Sequence, residues 1–198
     1  MVSFGSDLLP ANAAAVKILI AGGFGVGKTT LVGAVSEVPP LHTEEVMTEA
    51  GVGVDDTAGI EAKSHTTVAL DFGRITLSDD LVLYLFGAPG QERFWSLWDD
   101  LAIGALGAIV LVDTRRLESS FGSIDFFERR GIPFVVAVNR FDSAVDYTVA
   151  EVRDALDLGD EVPTLLCDAR ARASGRDVLL SLIDHLMATA PVLTAPRS

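Results

Sequence analysis

The stretch Gly22-Gly23-Phe24-Gly25-Val26-Gly27-Lys28-Thr29 matches the pattern G-x-x-x-x-G-K-[ST] at every position. It directly follows a β-branched, strand-like run, Val16–Ile20, and precedes a helix-like run, Thr30–Ser36. In this pattern the glycines let successive backbone N–H groups face one anion. The lysine adds a charge at the terminal phosphates, and the threonine offers a hydroxyl to Mg²⁺. The order strand, loop, helix therefore predicts an α/β domain that binds a nucleoside triphosphate.

The composition fits a single domain and excludes several kinds of partner. The chain has 198 residues, of which 49% are hydrophobic, and one cysteine, Cys167. A net charge of −13 argues against binding to nucleic acid or to an anionic membrane surface. No apolar run is long enough for a transmembrane helix, so direct membrane insertion is not expected. A lone cysteine is typical of a cytoplasmic protein.

Strand-like and helix-like segments alternate along the chain, which predicts a six-stranded, mostly parallel sheet with helices on both faces. The expected domain covers residues 15–190, with flexible ends at 1–14 and 191–198. The strands are predicted at Ala15–Ala21, Val68–Arg74, Leu81–Phe86, Ala105–Val112, Pro133–Val138 and Pro163–Cys167. The helices after the first are predicted at Gln91–Ile103, Ser120–Arg130, Thr148–Leu156 and Gly175–Ala188.

One segment, residues 38–66, does not fit this alternation. It is glycine-containing and acidic, and Lys63 is its only lysine or arginine. Loops of this length are usually functional or disordered. We predict a long mobile segment here, with at most one short helical turn.

A polar tetrapeptide, Asn139-Arg140-Phe141-Asp142, follows the strand predicted at Pro133–Val138. It resembles the N-K-x-D guanine signature of Ras-like GTPases, with Arg140 in the lysine position. A carboxylate at Asp142 can accept from both N1–H and N2–H₂ of guanine, a donor pair that adenine lacks. The aliphatic part of Arg140 can cover the base plane. A polar loop without this role remains the alternative.

The next strand is followed by Cys167-Asp168-Ala169-Arg170, which resembles the S-A-K motif of the same GTPases. The resemblance implies that the backbone N–H of Ala169 contacts guanine O6. It also brings Asp168 and Arg170 into the guanine-binding set, although an ordinary turn at a strand end would have the same sequence.

The stretch Gly87-Ala88-Pro89-Gly90-Gln91-Glu92-Arg93-Phe94 resembles the D-x-x-G-Q motif of switch II. By this resemblance the N–H of Gly90 contacts the γ-phosphate, and Gln91 orients the attacking water. Gly87 stands where the motif has an aspartate that supports Mg²⁺. Asp71 is a candidate replacement, because it interrupts the apolar residues of a strand whose expected neighbour leads into Gly87. A solvent-facing strand residue is the alternative.

The strand that contains Asp71 begins with two threonines, Thr66-Thr67. They resemble the switch I threonine that contacts Mg²⁺ and the γ-phosphate, and the spacing to Gly87 favours Thr67, with Thr66 as the other candidate. Two threonines that only open a strand are the alternative. The predicted metal ligands are therefore Thr29, Thr67 and Asp71. The predicted phosphate-binding set contains Gly22, Gly23, Phe24, Gly25, Val26, Gly27, Lys28, Thr29, Thr30 and Gly90.

Together these motifs resemble the bacterial conservon GTPases (CvnD), which are similar to the gliding-motility GTPase MglA. The resemblance rests on the phosphate loop, on T-T-V-A-L-D-F-G-R-I, on F-G-x-P-G-Q-E-R-F and on N-R-F-D. It implies a Ras-like domain that cycles between GDP and GTP. It also implies a Roadblock/LC7-type regulator and a sensor-kinase-like complex that recruits the chain to the membrane periphery.

Three functions remain open at this point. The first is a regulatory GTPase with slow hydrolysis, in which Gln91 positions water and Lys28 neutralises charge. Its further cation is Arg93, Lys63 or an arginine from a partner. The second is a nucleotide-bound scaffold that does not hydrolyse GTP. The third is a P-loop ATPase or kinase, although the acidic segment 38–66 offers no basic lid.

Overall fold

The computed structural model describes residues 13–39, 41–48, 65–90, 95–142 and 144–189, with the backbone alone for 41–48, 65–69 and 95–96. The strands are β1 Ala14–Ala21, β2 Leu41–Thr48, β3 His65–Ser78, β4 Leu81–Gly87, β5 Ala105–Val112, β6 Phe134–Asn139 and β7 Thr164–Cys167. The helices are α1 Lys28–Val35, α2 Trp95–Ala102, α3 Phe121–Arg130, α4 Val149–Ala155 and α5 Arg172–Thr189. A 3₁₀ segment, Thr114–Ser120, links β5 to α3.

The described strands form one sheet in the order β2-β3-β4-β1-β5-β6-β7. Strand β1 is parallel to β4 and β5, and β6 is parallel to β5 and β7. The β2–β3 and β3–β4 pairs are antiparallel. The predicted α/β class and the mostly parallel sheet are confirmed, and the sheet has seven strands because β2 adds one at the edge.

Strand β2 lies inside the segment 38–66, where the sequence predicts a loop. It pairs with residues 65–72 of β3, from Leu41 opposite Phe72 to Thr48 opposite His65. The acidic residues Glu44 and Glu45 lower its intrinsic strand preference, which explains why the sequence predicts a loop here. Backbone hydrogen bonding to β3 depends little on side chains and can form this strand nevertheless. Residues 1–12, 49–64 and 190–198 lie outside the described residues, and with them nearly all of the predicted flexible ends at 1–14 and 191–198.

The core consists of two apolar layers, one on each face of the sheet. Alternate residues of β1 belong to different layers, Leu19 and Ala21 to the first and Ile18 and Ile20 to the second. Helices α2, α3 and α4 cover the first layer, and α1 and α5 cover the second. Central strands buried on both faces need apolar residues at every position, which accounts for the continuous runs in β5 and β6.

Local sequence signals set the helix ends. The Thr148 hydroxyl accepts from the N–H of Glu151, whose carboxylate accepts from the N–H of Thr148, so α4 begins with a capping box. Helix α3 ends at Gly131, whose left-handed backbone (φ 61°) suits glycine. Within the described part of the chain, no helix combines the length and the apolar character needed to cross a membrane.

Substitution of Phe127 by alanine tests the layer under α3. The Phe127 ring is fully buried and packs against the rings of Trp98, Phe126 and Phe134. We expect Phe127→Ala to lower the free energy of unfolding by about 3–5 kcal/mol. Urea denaturation followed by circular dichroism measures this. The control Phe121→Ala, at an exposed position of the same helix, should change it by less than about 0.5 kcal/mol. Equal effects from the two variants would contradict this description of the core.

Candidate nucleotide-binding site

Five segments meet at the edge of the sheet where the parallel strands end. They follow β1, β4, β5, β6 and β7, and they begin at residues 22, 88, 113, 140 and 168. The carboxyl ends of parallel strands lie at one edge, so distant parts of the sequence come together there. This edge therefore holds most of the residues that the sequence assigns to nucleotide binding.

The loop after β1 has the backbone that its glycines predict. Gly22, Gly25 and Gly27 have φ angles of 130°, 73° and 107°, a region that side chains disfavour. At Gly27 there is also no space, because a Cβ there would lie 2.7 Å from Nδ2 of Asn139. Helix α1 begins directly afterwards at Lys28, so its N-terminal N–H groups face the same edge.

The Lys28 ammonium lies within the loop. Its Nζ donates to the backbone oxygens of Gly22 (2.9 Å) and Gly23 (2.8 Å). Burial lowers the pKa of Lys28 to about 8, although the negative charge of Asp71 opposes the shift. An anion placed at this loop would raise that pKa, because it would stabilise the charged form.

Asp71 lies beside the loop rather than in solvent. Thr29 Oγ1 donates to Asp71 Oδ2 over 2.6 Å, and Asp71 is only 8% exposed. In the β3–β4 pair Asp71 is directly opposite Gly87, where a Cβ would come within 2.9 Å of the Asp71 Cβ. The carboxylate of Asp71 therefore occupies the space that a side chain at position 87 would need.

Thr29 and Asp71 supply hydroxyl and carboxylate oxygens, which are the ligand types that Mg²⁺ prefers. No cluster of three or more His, Cys, Asp or Glu side chains suited to a metal occurs among the described residues. A magnesium ion here would therefore take its remaining ligands from phosphate oxygens and water. The side chain of Thr67, the third predicted ligand, lies outside the description, so its role stays a prediction.

The segment after β4 lies against the phosphate loop. The N–H of Ala88 donates to the Ile20 oxygen (2.8 Å), and the buried Trp98 indole donates to the Pro89 oxygen (3.0 Å). A Cβ at Gly90 would lie 2.8 Å from backbone atoms of Gly23 and Phe24, and 2.6 Å from Lys28 Nζ, so this position also requires glycine. Gly90 therefore lies next to the lysine, as its predicted phosphate contact requires. Gln91, Arg93 and Lys63 fall outside the described residues.

Asn139 joins three of the loops at this edge. Its Nδ2 donates to the Val26 oxygen (2.8 Å), and its Oδ1 accepts from the N–H of Ala169 (3.0 Å). The side chain is buried, so both bonds form away from water. The N–H of Ala169 that the sequence assigns to guanine O6 is thus bonded within the protein, and the guanine contact stays a prediction.

The other predicted guanine-binding residues surround one arginine. Arg170 donates through Nη1 and Nη2 to the two carboxylate oxygens of Asp142, both at 3.2 Å, and through Nε to Asp168 (2.9 Å). The hydrogen bond from Arg170 is the main reason that the pKa of Asp168 is lowered. Arg140 is exposed and 3.4 Å from Asp146. Asp142, Asp168 and Arg170 are therefore brought together, whereas Arg140 points to a different carboxylate.

A further cluster, Asp113-Arg115-Arg116, follows β5 and escapes the sequence motifs. Asp113 is 1% exposed and accepts from Arg115 through Nε (2.9 Å) and Nη2 (2.8 Å). The hydrogen bond from Arg115 lowers the pKa of Asp113, and the Arg115 guanidinium lies 3.8 Å from the Phe141 ring centre. Arg116 Nη2 donates to the Phe24 oxygen over 3.0 Å. An aspartate directly after a buried strand, followed by two arginines in an acidic chain, is the signal that could have found it.

Residues 20–189 match the model of a family described as "Conserved hypothetical ATP binding protein". The chain belongs to this family. The match covers all five segments of the candidate site, from the phosphate loop to Arg170. A comparison with curated proteins gives no match.

Solved structures resemble this family member along nearly its whole length. The G domain of the FeoB iron transporter from T. maritima has 17% identity and a TM-score of 0.60, over 87% of this chain and 99% of that one. The FeoB G domain from Methanococcus jannaschii has 14% identity and a TM-score of 0.57, over 87% and 98%. The Arl6 BBS3 small GTPase from Trypanosoma brucei, with bound GppNp, has 17% identity and a TM-score of 0.61, over 89% and 100%. The predicted Ras-like fold is thereby confirmed, and the narrower resemblance to CvnD and MglA stays a prediction.

Removal of the Asn139 amide tests whether this side chain holds the loops together. Asn139→Ala leaves the Val26 oxygen and the Ala169 N–H without their buried partner, and each such loss costs about 1–3 kcal/mol. We expect the free energy of unfolding to fall by about 2–4 kcal/mol in urea titrations. Arg140→Ala, at the exposed neighbour, is the control and should change it by less than about 0.5 kcal/mol. A stability of Asn139→Ala equal to that of the control would refute the structural role.

Proposed function

We propose that the chain is a regulatory GTPase that binds GTP and GDP with Mg²⁺ at the carboxyl edge of its sheet. The observation that carries the proposal is the position of Asn139, which bonds to the phosphate loop at Val26 and lies three residues before Asp142. One buried side chain thereby fixes the distance between a phosphate site and a base-reading carboxylate. The FeoB and Arl6 structures support this reading, because the first is a G domain, the second is a small GTPase, and both share this fold.

The phosphates of a bound nucleotide would replace the backbone oxygens of Gly22 and Gly23 as partners of the Lys28 ammonium. Lys28 lies where its ammonium can contact the terminal phosphates, and the loop N–H groups and the start of α1 face the same anion. Thr29 and Asp71 would hold Mg²⁺, Thr29 through its hydroxyl and Asp71 through its carboxylate. When bound, the ion would supply positive charge against the charge that develops on the phosphate oxygens during hydrolysis. Gln91 is proposed to orient the attacking water, on the strength of the switch II resemblance.

Base selection would depend on Asp142. A carboxylate has about four lone-pair sites, and the bidentate contact with Arg170 uses two of them. The remaining sites can accept the N1–H and N2–H₂ groups of guanine. Because Arg170 also bonds to Asp168, it holds the Asp142 carboxylate in one orientation. Adenine presents an acceptor at N1, which would face the carboxylate unfavourably.

ATP binding is the second candidate, because the family to which the chain belongs is described as ATP binding. The phosphate loop serves either nucleotide equally well, since it contacts only phosphates and metal. The two candidates therefore differ only at the base-reading residues.

The resemblance to conservon GTPases supports a role as a switch that partners read. We propose a Roadblock/LC7-type regulator as the partner, and recruitment by a sensor-kinase-like complex to the membrane periphery. Slow hydrolysis that a partner assists would suit such a switch. A nucleotide-bound scaffold without hydrolysis is the alternative for the same partners.

The identity of the base can be tested by competition. Displacement of a fluorescent GDP analogue should require at least about 100-fold more ADP than GDP, since a site built for base hydrogen bonds rejects bases that lack them. Asp142→Ala should reduce that preference to less than about tenfold and leave ADP affinity unchanged.

The matched control is Asp146→Ala, which removes an exposed carboxylate from the same loop. It should retain the preference of the wild-type chain. Equal affinities of the wild-type chain for GDP and ADP would overturn the guanine reading in favour of ATP.

The proposed role of Asp71 in metal binding can be tested by moving the carboxylate to the opposite strand. Asp71→Gly should speed Mg²⁺-dependent dissociation of GDP by about 10–100-fold, the usual effect of losing a group that supports a metal. Adding Gly87→Asp should restore most of the slow dissociation, because the two positions are directly opposite in the β3–β4 pair. Stopped-flow measurements of GDP release, in Mg²⁺ and in a chelator, separate a loss of metal binding from a general weakening of the nucleotide site.

Asp79→Ala is the control for this pair, since Asp79 is an exposed aspartate in the turn between β3 and β4. It should behave as the wild-type chain does. If GDP dissociates from Asp71→Gly in Mg²⁺ at the rate found for the wild-type chain, Asp71 has no part in metal binding.

A further inference from the structure

The 3₁₀ segment Thr114–Ser120 lies directly on the first half of the phosphate loop. A Cβ at Gly23 would come within 2.3 Å of the Ser119 hydroxyl, and one at Gly25 would lie 3.5 Å from Nη2 of Arg116. The same Nη2 donates to the Phe24 oxygen. Arg116 also departs from helical geometry, with φ −147° and ψ 55°, so the chain bends at this residue. The hydrogen bond to Phe24 therefore holds the guanidinium at the loop.

Within the Asp113-Arg115-Arg116 cluster, the charges leave one positive excess. Asp113 is engaged in a two-bond contact by Arg115, and its contact with Arg116 is longer, at 3.4 Å. Two guanidinium groups thus share one carboxylate, in a chain whose net charge is −13. Arg116 is also 48% exposed, so it keeps access to a molecule that enters from solvent. A phosphate group would be the natural partner of this excess charge.

We propose that Arg116 is a catalytic residue for GTP hydrolysis, an arginine finger supplied by the chain itself. The proposal rests on the proposed GTPase function and replaces the open choice among Arg93, Lys63 and a partner. Arg115 is a positioning residue, because it neutralises Asp113 and packs on Phe141 while Arg116 reaches the loop. Arg116 lies in the segment that follows β5, so its position does not depend on the segments that resemble switch I and switch II.

In the reaction, the oxygen of water forms a bond to the γ-phosphorus. The bond between that phosphorus and the oxygen bridging it to the β-phosphate breaks, and the bridging oxygen keeps the electron pair. One proton of the water stays on the oxygen now bound to the phosphorus and the other is released, so the products are GDP, hydrogen phosphate and a proton. Arg116 would stabilise the negative charge that grows on the bridging and γ-phosphate oxygens.

Single-turnover hydrolysis of bound GTP by the purified chain, without partners, tests this role. The wild-type chain should hydrolyse GTP at about 10⁻² per second, the order found where the arginine is in cis. Arg116→Ala should slow the reaction at least about tenfold and up to about 10³-fold, with Arg116→Lys in between. GDP affinity, measured by displacement of a fluorescent analogue, should change less than about threefold in both variants, since an arginine finger acts in the transition state.

A second measurement does not depend on turnover. GDP with aluminium fluoride mimics the transition state, and the wild-type chain alone should capture it, whereas Arg116→Ala should not. Arg129→Ala is the control, because Arg129 bonds only to a carbonyl of its own helix α3 among the contacts described. It should match the wild-type chain in both measurements.

Three results would overturn the proposal. The first is a rate for Arg116→Ala within tenfold of the wild-type rate. The second is a loss of GDP affinity as large as the loss of rate, which would make Arg116 a structural brace of the loop. The third is a wild-type chain that binds GDP but alone neither hydrolyses GTP nor captures the mimic. Failure to bind any guanine nucleotide would instead overturn the proposed function itself.

Discussion

The two hydrogen bonds of the Asn139 amide are the interaction on which the site depends. They cross from the end of β6 to the phosphate loop and to the loop after β7, and they need Gly27 because any larger residue would collide with Nδ2. A buried amide that satisfies one acceptor and one donor at once fixes three backbone segments relative to each other. The positions of Lys28 and Thr29, and of the 139–142 turn, all follow from this arrangement.

The pairing of β3 with β4 shows how a carboxylate can move in sequence without moving in space. Directly opposed residues of an antiparallel pair project from the same face of the sheet. Asp71 and Gly87 are such a pair, and the aspartate fills the space that the glycine leaves. The switch II-like motif along β4 therefore lacks its aspartate, whereas Asp71 on β3 supplies a carboxylate oxygen beside Thr29.

Much of the fold was predictable from the sequence, because its signals are local. Apolar runs in β5 and β6, the glycine pattern of the phosphate loop and the Thr148–Glu151 cap each depend on neighbouring residues. Strand β2 was not predictable, since it forms only through pairing with a strand distant in sequence.

The candidate site was likewise predictable only in part. The position of Asp71 beside Thr29 was anticipated, because the neighbour of its strand in a Ras-like sheet leads into Gly87. The Asp113-Arg115-Arg116 sequence is visible after β5, but its contact with the phosphate loop is not, since Arg116 and Phe24 lie 92 positions apart. No local pattern reports such a contact. The engagement of the Ala169 N–H by Asn139 likewise depends on how close two loops come, which sequence spacing does not define.

Strand β2 has a consequence for how copies of this protein behave beside one another. As the outer strand of the sheet, it presents one row of backbone groups that no neighbouring strand in the described sheet pairs with. Such an edge invites a second molecule to add its own strand and start aggregation. The adjacent glutamates at 44 and 45, in a strongly acidic chain, oppose that approach by repulsion between like charges. The glutamates that made this stretch resemble a loop are thus of the charged type that discourages pairing at an open sheet edge.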